Sequence, residues 1–337
     1  MRGLFRVTLA LLVSGCFGEA PENGEGNPTS PGPGEAFTDD QSVPVETWHV
    51  VRSPGGGCLP PACRDGEWPM ATPVLLHSDR FVMIGDGADP QRIYESSDGA
   101  QWVTKRTDAA WGTRYKSADA SFAGALWRAG GFEPHEEQRT YFSDVWRSTD
   151  GSSWQRVIEA APWLPRAGAH LIPFRDSLWL VGGEPDDGNV WSTRDGVTWV
   201  PHLQTGLPAA SPQAVVVFNG ALWILGHGRW EGATNDVWTS ADGAHWRRVL
   251  PAAPWIARTY PGVGVAIDRV WVIAGAGLQD VWSSSDGQQW VQSYAELPGP
   301  PRTASFTVSH DNGVWVFGGK TGGAGGTGFW DGIYVLR

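Results

Sequence analysis

From residue 46 onward, apolar and polar positions alternate in short runs, with the period of a strand and not of a helix. Val215-Val-Val-Phe218 and Leu222-Trp-Ile-Leu225 are examples: β-branched and aromatic residues bounded by Gly, Pro, Asn and Asp. Outside the N-terminal segment no apolar window at helical spacing exceeds about one turn. One alternating run ending in glycine occurs six times, at Arg80–Gly85, Leu126–Gly131, Leu178–Gly183, Leu222–Gly226, Val270–Gly275 and Val314–Gly319. Downstream of the first five copies comes a nine-residue pattern, aromatic-x-Ser/Thr-x-Asp-Gly-x-x-Trp. Its Asp residues are Asp98, Asp150, Asp195, Asp242 and Asp286, and its final residues are Trp102, Trp154, Trp199, Trp246 and Trp290. The Asp positions are separated by 52, 45, 47 and 44 residues, which is the period of a propeller blade and too long for a leucine-rich repeat.

Each unit is expected to hold four strands. In the third these are strand a over Gly168–Phe174, b over Ser177–Val181, c over Val190–Thr193 and d over Thr198–Leu203, with Trp199 opening strand d. The Asp-Gly pair falls in the c–d hairpin. There glycine tolerates positive φ, and the Asp carboxylate and the preceding Ser or Thr can accept local hydrogen bonds. About three large rings per unit account for most of the 21 tryptophans. Packing between facing sheets is the expected use of these rings, with carbohydrate stacking as the alternative.

The last unit has strands a, b and c, ending at Ile333–Leu336, and no Asp-Gly-x-x-Trp follows. Glu46–Arg52, with Trp48 in the place of Trp102 or Trp154, reads as an orphan strand d. Pairing it with the last unit hides two sheet edges and locks the ring. The expectation is therefore an all-β, six-bladed β-propeller of four-stranded antiparallel blades over residues 46–337, forming one domain and a monomer.

The strand ending in Gly-Gly and followed by Trp resembles the kelch motif, best at Leu178–Gly183 and Val314–Gly319. The Asp-Gly hairpin resembles the Asp-box of sialidase-type propellers, shortened by one residue, as in Ser148–Trp154. Both resemblances imply a propeller. Neither motif carries chemistry in its family, so no function transfers with it.

Residues 1–15 read as a leader, with Arg2 and Arg6 ahead of an apolar stretch, Val7–Val13, too short to span a bilayer. Val13-Ser-Gly-Cys16 resembles the bacterial lipobox, which implies cleavage before Cys16, lipidation of that residue and attachment to the bilayer through it; the alternative is an ordinary secretory signal. Residue 17 is Phe and not the Asp that retains such proteins in the inner membrane, so the outer membrane is the expected address, on its periplasmic or cell-surface side. Residues 16–45, rich in Gly, Pro, Glu and Asn, read as a flexible tether. Cys58 and Cys63 are expected to form a small disulfide loop in an exported chain; their spacing is poor for zinc.

The net charge is −11, and loss of Arg2 and Arg6 with the leader takes it to −13. With three lysines in all, the chain is a poor candidate for nucleic acid. In a propeller the b–c and d–a connections share one face. Here they are the long, variable segments, which makes that face the expected site for a protein or glycan ligand. Arg114, Arg166, Arg258 and Arg302 recur at the start of strand a. They could converge at the channel mouth and hold a carboxylate or sulfate. Alternatively each pairs with an acid of a neighbouring loop, such as Glu133, Asp186 or Asp236. The acidic turns Gly85–Asp89 and Gly183–Gly188 offer oxygens suited to Ca²⁺, but without EF-hand spacing they read first as solvated turns. There is no HExxH, no Gly-x-Ser-x-Gly elbow, and no set implying a metal or cofactor. The leading reading is a non-enzymatic binding platform. The alternative is an enzyme acting on an acidic sugar through the arginines, as in kelch-like sialate epimerases.

Overall fold

The computed structural model describes residues 47–53, 74–85, 92–108, 110–135, 138–185, 187–228, 232–303, 306–321, 328–329 and 332–337. Cys16, Cys58, Cys63 and the leader and tether segments lie outside these residues. No α-helix occurs among them.

Six four-stranded antiparallel sheets form the blades. Blade 3 is representative, with strands His170–Phe174, Ser177–Val181, Val190–Thr193 and Val200–His202, paired in sequence order. The innermost strands touch in the order blade 1 to 6 and back to 1, which closes the ring. Blade 6 takes its strands a to c from Phe306–His310, Gly313–Phe317 and Ile333–Leu336. Its outer strand is the N-terminal Trp48–Arg52, in register Trp48↔Leu336, His49↔Val335 and Val50↔Tyr334. Thr47 and Arg337 exchange backbone hydrogen bonds beyond that register. Trp48–Arg52 and Ile333–Leu336 thus belong to one sheet, as the orphan strand implied.

The repeated hairpin is held by local hydrogen bonds. In blade 2 one carboxylate oxygen of Asp150 accepts the backbone N–H groups of Ser152 and Ser153, both at 2.8 Å, and the hydroxyl of Ser148 at 3.1 Å. The indole of Trp154 donates to the carbonyl of Gly151 at 2.8 Å. Asp98, Asp195, Asp242 and Asp286 repeat the arrangement. These backbone donors, preceded at Asp242 by the His245 side chain, favour the ionised carboxylate and hold all five Asp below the usual carboxylate range, Asp195 at about 2. Because its indole bonds back into the turn, each of these tryptophans precedes strand d and does not open it: Trp199 is followed by a strand beginning at Val200.

The turn glycine also makes room for the adjacent blade. The strand b tryptophan of one blade lies flat on the turn glycine of the next, and a Cβ built on Gly196 would sit 2.0 Å from the Trp127 ring. Trp179 meets Gly243, Trp223 meets Gly287 and Trp315 meets Gly99 in the same way. Blade 1 has Val82 at this position, and Gly151 of blade 2 has correspondingly more space around it. A further tryptophan comes from the d–a connections. Trp111, Trp163 and Trp255 are buried edge-on against the turn tryptophans Trp154, Trp199 and Trp290, with ring centroids 4.9, 4.6 and 4.4 Å apart.

Candidate functional site

The four recurrent arginines stand at the junction between each d–a connection and strand a, and all are buried: Arg114, Arg166, Arg258 and Arg302 are 2, 1, 2 and 0 % exposed. Arg114 forks onto Asp144 at 2.6 and 3.0 Å, and Arg258 onto Asp280 at 2.6 and 2.8 Å. Arg166 reaches Asp187 at 3.2 Å. One guanidinium nitrogen of each also donates to a carbonyl at the end of strand b, that of Gly130, Gly182 or Ala274. Arg302 packs over the Tyr334 ring and donates to the carbonyl of Pro298; burial pulls its pKa down to about 10. A guanidinium so desolvated and paired is part of the scaffold, so the arrangement fits the pairing alternative and not a ligand-gripping ring.

The acids are not the ones the sequence suggested. Glu133 faces His135 at 3.8 Å on the surface, Asp236 pairs with His227, and Asp186 lies outside the described residues. The partners in blades 2 and 5 are the Asp of a recurrent Asp-Val-Trp that opens strand c, at Asp144 and Asp280. The second oxygen of each also accepts the Trp146 or Trp282 indole. Burial alone would raise the Asp280 carboxyl; the Arg258 and Trp282 donors hold it below its ordinary range. In blade 4, Ser211 replaces the arginine and His227 binds Asp236 in its stead, at 3.2 Å.

What opens onto solvent instead is the axis. A cavity of about 360 Å³ lies between the innermost strands and the d–a connections of blades 2 to 5. Leu171, Val215, Val216 and Val263 give it apolar walls, while Lys116, Asp119, His170, Gln213 and Tyr260 give it polar groups. Asp119 is committed to the fully buried Arg128, bidentate at 2.8 and 2.9 Å. Burial holds His170 below the usual histidine range, so its imidazole is neutral at pH 7; Nε2 lies 3.2 Å from the carbonyl oxygen of Pro212 and therefore carries the proton. Lys116 donates to the Tyr260 hydroxyl at 3.2 Å. None of these lining residues stood out in the sequence. The available signal was the residue two places after each recurrent arginine, Lys116, Gly168 and Tyr260, which varies where its surroundings repeat.

Fold and repeat define a six-bladed β-propeller with kelch-like blades. No protein-family model matches the chain. It is 28 % identical over 182 residues to beta-scruin of Limulus polyphemus, an alignment covering 48 % of this chain and 19 % of that protein. The chain thus spans about a fifth of the curated relative it matches. Among solved structures, that of YjhT aligns with a TM-score of 0.63 and 16 % identity, over 81 % of this chain and 100 % of the other. At that identity the likeness concerns fold alone.

Proposed function

We propose that the protein is an exported lipoprotein, held at the outer membrane through acylated Cys16, whose propeller is a binding platform for a protein or glycan. The observation that carries the platform is the cavity of about 360 Å³ at the axis, opening among the long connections, within the size range of ligand pockets. Exposed apolar residues on the same connections support it: Leu164 and Ile256 each stand between a buried tryptophan and a buried arginine, at 53 and 67 % exposure. The leader pattern and Cys16 motivate the tether. The acidic-sugar enzyme loses its proposed grip, because its arginines are engaged with carboxylates and carbonyls.

Full-length protein, solubilised from membranes, should capture a ligand on a glycan array or by cross-linking in cell envelopes. Leu164→Asp with Ile256→Asp should weaken that capture, and Val197→Asp, on the Asp-Gly turn face, should not. Cys16→Ala should abolish incorporation of labelled palmitate and release the protein from membranes. Equal effects on both faces would refute the platform, as would turnover of a glycan by the purified protein. A Cys16→Ala protein that stays membrane-bound and acylated would refute the tether.

A further inference from the structure

The position two residues after each recurrent arginine borders the axial cavity: Lys116 in blade 2, Gly168 in blade 3 and Tyr260 in blade 5. The bridges Tyr115↔Phe132, Ala167↔Glu184 and Pro212↔His227 align the blades and put Gln213 at the same place in blade 4. The backbone is left-handed at three of these positions, with φ of 55° at Lys116, 67° at Gly168 and 54° at Tyr260. Gly168 takes that conformation without strain. Lysine and tyrosine do not, and a residue kept in such a conformation despite its cost points to a role for its side chain.

Blades 2 and 5 face each other across a ring of six. Even so, Lys116 Nζ lies 3.2 Å from Tyr260 Oη, and 5.5 Å from the centre of its ring. The backbone N–H of Tyr260 is fixed by the Gln213 side-chain oxygen at 3.0 Å. Two side chains from opposed blades therefore form a bar over the cavity. An ammonium is donor-only, and a carboxylate is a charge-assisted and stronger acceptor for it than a phenol.

We propose that Lys116 and Tyr260 are a latch across the channel mouth, and that the ligand opening it is a small carboxylate whose oxygens replace the phenol at the Lys116 ammonium. This deepens the platform reading and rests on the axial face being the working one.

With only three lysines in the chain, the latch can be read by acylation of the full-length protein and mass spectrometry, using Lys105 as internal reference. Glucuronate should slow Lys116 acylation relative to Lys105, while glucose and an equal ionic strength of chloride should not. Tyr260→Phe, which keeps the ring, should speed Lys116 acylation about tenfold by removing one acceptor of a charged donor. The latch is overturned if glucuronate gives no more protection than chloride, or if Lys116 in Tyr260→Phe reacts at the wild-type rate. The glucuronate arm needs no variant, so misfolding cannot mask it. Capture of a macromolecular ligand that survives Lys116→Met, without glucuronate protection in wild type, would sink the latch and spare the platform. Protection without any such capture would sink the platform and spare the latch.

Discussion

Asp280→Ala distinguishes a structural arginine from a ligand-binding one. The substitution strips both carboxylate oxygens from Arg258, whose side chain is 1 % exposed, and the acceptor from the Trp282 indole. Among the described residues, Arg258 keeps the carbonyls of Ile256 and Ala274 as its acceptors. Removing one member of a buried pair leaves an uncompensated charge and costs about 3–5 kcal/mol. Asp280 itself is 17 % exposed, so water can refill part of the gap, which places the loss near ~3 kcal/mol, the lower end of that range. The control is Asp176→Ala, which breaks a pair with Arg194 whose side chains are 67 and 78 % exposed and should cost less than ~1 kcal/mol. Urea unfolding followed by tryptophan fluorescence compares the two, with equal m-values confirming the same transition. Arg258→Met with Asp280→Leu should recover most of the stability, since an apolar pair carries no desolvation penalty. If Asp280→Ala is no worse than Asp176→Ala, Arg258 is not a scaffold residue and the ligand-gripping ring returns to contention.

Gly196→Ala should destabilise far more than Gly124→Ala. Both have positive φ, costing about 1 kcal/mol for alanine, but only at Gly196 does the new methyl collide with a tryptophan ring, adding roughly 1–3 kcal/mol; equal melting temperatures would contradict the blade-on-glycine packing. Deleting residues 47–52 should leave blade 6 with an open edge and produce concentration-dependent oligomers in size-exclusion chromatography, and a monomer of wild-type stability would argue against the closure. The depressed carboxyls set the acid limit. A lowered folded pKa gives stability that is complete above the unfolded value of about 3.9 and is lost as pH falls through the folded one. Tryptophan fluorescence should therefore report unfolding between about pH 4 and pH 2, the latter the value of Asp195 and Asp236, and onset near neutral pH would refute this assignment.

The blade count, the four strands of each blade and the closing N-terminal strand were all legible in the chain. Each rests on contacts a few residues apart, or on an alternation that can pair in one way only. The Asp150 turn is closed by Ser148, Ser152 and Ser153 and needs nothing from outside. The orphan strand at Trp48 was legible for a related reason, since one unit lacked a fourth strand and one strand lacked a unit.

The arginines marked the limit of that reading. Their recurrence was plain, but recurrence does not tell whether a guanidinium faces a channel or a carboxylate. Arg114 finds Asp144 thirty residues on, after a hairpin inserted in the b–c connection at Phe132–Pro134 and Arg139–Tyr141. The Asp-Val-Trp before strand c was a usable clue, because an Asp placed just ahead of a buried strand needs a buried partner. The sequence singles out the positions of Lys116 and Tyr260 but not their contact, since 144 residues separate the two. What the sequence determined on its own is whatever hydrogen bonds and alternation settle locally, which is the blade and its number. What only the tertiary structure decided is which polar groups the closing ring buries and which it turns toward the axis, because burial and long-range pairing exist only once opposite blades have met.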